Sequence, residues 1–127
     1  MLEESRENEK FEKLIEAALN YVKTRGFKEI KSTAEGYDRP FQFTKQDEDI
    51  TFTPDITAKL GEKKHYFEVA QRSDDHDFIV SKWKLLSMLA NMQKGSFTIL
   101  IPFGQNKFTE QIVIEHEIEA EMVKLEM

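Results

Sequence analysis

The chain has 127 residues, 39% hydrophobic and 33% charged, with ten phenylalanines and only five glycines and three prolines; it has material for one core and is not the composition of a disordered segment. It contains no cysteine, which excludes a disulfide framework, a thiolate zinc site and a cysteine nucleophile. The net charge of −6 is uneven: residues 1–16 hold six acids against three bases, residues 110–127 six against one, and the middle twelve against fourteen, a balance that argues against coating nucleic acid unaided.

No apolar run approaches the ~20 residues a bilayer requires, and the acidic start Met1-Leu-Glu-Glu-Ser5 is unlike a secretory leader. The expectation is a cytoplasmic protein without membrane partners, folded as one domain over residues 1–127.

The first predicted element is a helix from about Ser5 to Arg25. At 100° per residue, Phe11, Leu14, Ile15, Ala18, Leu19, Tyr21 and Val22 form one apolar stripe. Gly26 supplies a stop, with Lys23 and Arg25 where the helix dipole favours cations. Phe27–Ile30 reads as a short strand and residues 34–40 as a loop. Phe41–Thr44, Ile50–Leu60 and Lys64–Gln71 are rich in β-branched and aromatic residues and predict a three-stranded meander.

Ser73-Asp-Asp-His-Asp77 leads into a second helix, about Phe78–Gln93, with Asp77 or a neighbour as its cap and Lys94-Gly95 at its end. The acid-rich loop is read as capping and solubility residues in preference to a metal site. Phe97–Ile101 predicts a strand buried on both faces. From Phe108 onward two readings stand: Ile114, Ile118, Met122 and Leu125 have helical spacing, whereas Ile112, Ile114 and Ile118 interleaved with acids suit an edge strand. His65 and His116 have no spaced partner and are read as surface or strand histidines. No dinucleotide, P-loop, serine-hydrolase or zincin motif occurs.

The order helix, three strands, helix, strand, with Pro54-Asp55 on one strand and Phe67-Glu68-Val69-Ala70 on the next, resembles the PD-(D/E)xK nuclease superfamily over roughly residues 5–102. The implied fold is the restriction-endonuclease-like α/β core, a central mixed sheet flanked by helices. The resemblance implies that Asp55 and Glu68 hold Mg²⁺ (or Mn²⁺) for hydrolysis of DNA phosphodiesters. The lysine expected two positions after Glu68 is replaced by Ala70. Some members supply it from the following helix, and Lys82 is the matching position here: with Ile79 at zero it falls near 300°, beside Leu86 and Leu89, whereas Lys84 lies on the polar side. A cation on a buried face requires a carboxylate or phosphate beside it, or else a stem that carries the charge back to water.

The family's first helix often adds an acid, for which Glu7 matches by direction. Arg72 shares Glu68's face and is a candidate phosphate contact, while Gln71 falls on the opposite face. The activity expected is a Mg-dependent endonuclease, DNA its substrate, acting as a homodimer or with a protein partner. The alternative is a catalytically inactive nuclease-fold module that engages a protein.

Overall fold

The computed structural model describes residues 2–3, 9–47 and 49–126. In chain order the elements are β1 (Leu2–Glu3), α1 (Glu9–Thr24), β2 (Lys28–Ser32), β3 (Phe43–Lys45), β4 (Ile50–Phe52), β5 (Ile56–Leu60), β6 (Lys63–Val69), α2 (His76–Met92), β7 (Phe97–Ile101), α3 (Asn106–Glu115) and β8 (Glu121–Lys124). Five strands form a mixed sheet in the order β2-β5-β6-β7-β8. The β2-β5-β6 half is antiparallel, and β6, β7 and β8 run parallel, joined through α2 and α3. Strands β1, β4 and β3 make a separate small sheet. Among the described residues no helix is long and apolar enough to cross a membrane.

The expected order of helix, meander, helix and strand holds, but one strand of the meander differs. Its three strands are β2, β5 and β6, whereas the predicted Phe41–Thr44 segment lies nearly on β3 of the small sheet. The predicted Ile50–Leu60 strand is two strands in different sheets, because Pro54 has no N–H to give a ladder.

Both faces of the sheet are covered by apolar side chains. The α1 stripe of Phe11, Leu14, Ile15, Ala18, Leu19 and Val22 packs on Ile56, Ala58, Phe67, Val69 and Leu100. On the opposite face, Ile79, Trp83, Leu86 and Ala90 of α2 and Phe108, Ile112 and Val113 of α3 pack on Tyr66, Ala70, Phe97, Ile99 and Ile101. All five residues of β7 are buried, as expected for a central strand under helices on both sides.

Helix α2 starts on Asp75, whose Oδ1 accepts from the Phe78 N–H at 3.1 Å. It ends with the paired 6→1 and 5→2 bonds of a Schellman turn, Gly95 N–H to the Ala90 carbonyl at 2.9 Å and Lys94 N–H to the Asn91 carbonyl at 3.2 Å. The left-handed position is Lys94, with φ of 58°. Helix α3 ends in the same way, with Glu117 left-handed at φ of 50°, and Ile118 N–H bonded to the Val113 carbonyl. The C-terminal segment holds both kinds of element but with bounds neither reading gave: α3 runs to Glu115 and takes in Ile112 and Ile114 of the edge-strand reading, and the edge strand is Glu121–Lys124, which takes in Met122 of the helical one.

Candidate functional site

The β5–β6 register places Ile56 opposite Phe67, so that Asp55 and Glu68 meet at the end of the ladder just beyond that pair. Pro54 and Asp55 lie between β4 and β5, where regular pairing stops. The side chains there take over from the ladder. The Asp55 N–H donates to Glu68 Oε2 at 2.7 Å, and the Val69 N–H donates to Asp55 Oδ2 at 2.9 Å. Glu68 thus accepts from the backbone amide of Asp55, and Asp55 from that of the residue after Glu68, a reciprocal clasp.

Above this clasp lies α2, whose sheet-facing side carries Lys82 between Ile79 and Leu86. Lys82 Nζ is 3.1 Å from Glu68 Oε1. Asp55 and Glu68 are each 1% exposed and Lys82 2% exposed, so the lysine does not carry its charge back to water. A buried ion pair is tolerated only where its partners are close and hydrogen-bonded, as here. Ala70 is fully buried against α2, in the place where the resemblance expects a lysine.

The structure brings together Asp55, Glu68 and Lys82 and leaves the other candidates apart or undescribed. Glu7 lies outside the described residues. Arg72 sits past the end of β6, its N–H donating to Gln105 Oε1 at 3.0 Å and its guanidinium carbon 5.7 Å from the Phe108 ring centroid. Gln71 is half-buried beside it.

The expectation of bound Mg²⁺ or Mn²⁺ is corrected. Among the described residues no group of three or more His, Asp or Glu side chains is placed to hold a metal ion. The physical reason lies in the clasp, where carboxylate oxygens face backbone amides and an ammonium group, donors that compete with a hard cation for the same lone pairs. The acid-rich loop behaves as the capping reading expects, with Asp75 on the helix end and His76 edge-on to Phe108.

Sequence reasoning gave His65 no specific surroundings. Its Nδ1 lies 2.7 Å from Ser96 Oγ and accepts the Ser96 N–H at 3.2 Å, Phe27 stands edge-on to its ring, and its buried Nε2 has no hydrogen-bond partner among the described residues. Burial holds the imidazole pKa below its ordinary value; Lys63 adds to the depression and Glu121 opposes it. A folded-state pKa below the unfolded one means that the neutral ring is favoured by folding. That contribution is fully present above the unfolded value of about 6.5 and is lost as pH falls through the folded pKa. Melting temperatures measured from pH 8 to 5 are expected to fall off below about pH 6.5, and His65→Gln is expected to flatten the upper part of that decline. An unchanged profile in the variant would remove His65 as the cause.

Compared with protein-family models, curated proteins and solved structures, the chain finds no match. Its α/β fold, a mixed central sheet flanked by helices, agrees with a generic restriction-endonuclease-like architecture.

Proposed function

We propose that the chain is a non-catalytic binding module on a nuclease-like architecture, related to the PD-(D/E)xK superfamily, that engages a protein partner. The observation that carries this reading is the closed state of the clasp. Asp55 and Glu68 are buried to 1% exposure, with Asp55 Oδ2 and Glu68 Oε2 on backbone amides and Glu68 Oε1 on Lys82, where a hydrolase needs them directed at a substrate. Ala70 in place of the strand lysine agrees with it. So do large apolar side chains left at the surface: Met88 and Met92 one turn apart on α2, and Phe103 wholly exposed before α3. The exposed acids Glu115, Glu117, Glu119 and Glu121 add a charge suited to a basic protein surface.

The test is a cleavage assay on supercoiled, single-stranded and junction DNA with Mg²⁺ or Mn²⁺ added, comparing wild type, Glu68→Gln and Lys82→Ala. The expected result is no cleavage above background in any of the three. Cleavage by the wild type that both substitutions abolish, in variants whose circular dichroism shows them folded, would return Asp55, Glu68 and Lys82 to catalytic roles.

A further inference from the structure

At the other end of the β5–β6 hairpin the sheet lines up positive charge. The register sets Lys28 of β2 opposite Lys59 of β5, and Lys59 opposite Lys64 of β6, a row of three lysines across three adjacent strands. Residues directly opposite one another share a face, and like charges so placed destabilise a sheet. A fourth lysine is added by an irregularity in β2. Lys31 pairs with Thr57, and the register slips between Lys28 and Lys31, where Glu29 takes a left-handed φ of 48°. Without that bulge, positions three apart would point to opposite faces; with it, Lys28 and Lys31 both join the face of Thr57 and Lys59.

Lys28 and Lys31 are exposed, while Lys59 and Lys64 are half-buried. Glu29 Oε2 lies 3.5 Å from Lys59 Nζ, so an anionic group already sits against the row. Lys64 Nζ is 5.5 Å from the centroid of the Tyr66 ring, which borders the row on the α2 side. The Lys64 ammonium is held below its usual pKa by burial first and then by repulsion from Lys31 and Lys59, which agrees with the closeness of the group.

We propose that Lys28, Lys31, Lys59 and Lys64 form a binding site for a compact oligophosphate anion. The choice of anion follows from residue type and extent. All four cations are lysines, flexible point charges that can each meet a separate oxygen of a phosphate chain. Adjacent strands are about 4.8 Å apart, so the row spans about 10 Å, the scale of a short phosphate chain. A long nucleic acid would extend past it onto a molecule of net charge −6. The site is separate from the Asp55–Glu68–Lys82 clasp and does not depend on the reading of that clasp.

The experiment is calorimetric titration of the full chain at low salt with inorganic tripolyphosphate, in parallel with ATP, orthophosphate and a duplex oligonucleotide. Wild type is expected to bind tripolyphosphate saturably and orthophosphate at least tenfold more weakly. Lys59→Gln/Lys64→Gln is expected to weaken tripolyphosphate binding at least tenfold, while Lys107→Gln, an exposed lysine on α3, leaves it unchanged. The double variant without ligand is expected to melt higher than wild type, because repulsion has been removed, so lost binding is not lost folding. ATP binding weaker than tripolyphosphate identifies a free phosphate chain as the ligand, equal binding shows that the phosphates alone are read, and tighter ATP binding identifies a nucleotide's phosphate tail. Absence of saturable tripolyphosphate binding, binding that survives the double substitution within twofold, or binding of the duplex alone overturns the proposal.

Discussion

Lys82→Met is expected to destabilise the protein by about 3–5 kcal/mol, measured by urea denaturation, because it removes an ammonium group from beside a buried carboxylate. Glu68 is 1% exposed and its Oε1 faces Lys82 Nζ at 3.1 Å. The companion measurement is Glu68→Gln/Lys82→Met. Glutamine keeps an oxygen that can accept the Asp55 N–H now bonded to Glu68 Oε2, and methionine fills most of the lysine's volume. The double variant is expected to lie within about 1–2 kcal/mol of wild type, since replacing both members of a buried pair is far cheaper than removing one. A single-variant loss below about 1 kcal/mol would mean that the pair is solvated and the clasp open.

Gly95→Ala is the second large effect. A Cβ built there lies 1.6 Å from the Lys64 carbonyl oxygen and 2.6 Å from its carbonyl carbon, a collision with backbone that no rotamer relieves. The Tyr66 N–H beside it donates to the Ser96 carbonyl at 2.9 Å, so moving the α2–β7 connection away would open the start of the β6–β7 ladder. The expected loss is about 3 kcal/mol, at the upper end of what overpacking costs. Lys94→Gly, one residue earlier, is the control with opposite sign. It relieves a non-glycine residue at φ of 58° and is expected to be neutral or stabilising by about 1 kcal/mol. Midpoints of denaturant unfolding distinguish the two, and equal effects would mean that the contact with Lys64 is not what demands glycine.

These neighbours show where the sequence is legible and where it is not. The α1 stripe was readable because its burial is periodic, and β7 because an unbroken apolar run can hardly face water. The end of α2 was readable for an incomplete reason: Gly95 marked it, but the left-handed residue is Lys94 and the glycine answers a close approach by β6. The C-terminal segment could not be divided because the left-handed residue of the turn that ends α3 is Glu117, which carries none of glycine's signal. Its apolar spacing runs on through a turn into β8. Pro54 inside the Ile50–Leu60 run was the available sign of two strands, and β-branched residues on both sides concealed it.

The clasp itself was partly legible. Strand parity and the hairpin at Gly61 bring Asp55 and Glu68 together, and helical periodicity turns Lys82 inward. What parity could not supply is direction, namely that the carboxylates face backbone amides. That depends on the break at Pro54, a tertiary feature. The lysine row was hidden for a similar reason, since Lys28 and Lys31 share a face only through the left-handed Glu29.

The clasp also bears on the order in which the chain folds. Asp55 and Glu68 are separated by 13 positions along the hairpin, and Lys82 follows on the next helix. Closing such short loops loses little chain entropy, whereas the small sheet must bring β1, at the chain's start, to β4. The polar centre therefore belongs to the contacts a collapsing chain can make early, and Lys82→Met should slow refolding as well as hasten unfolding.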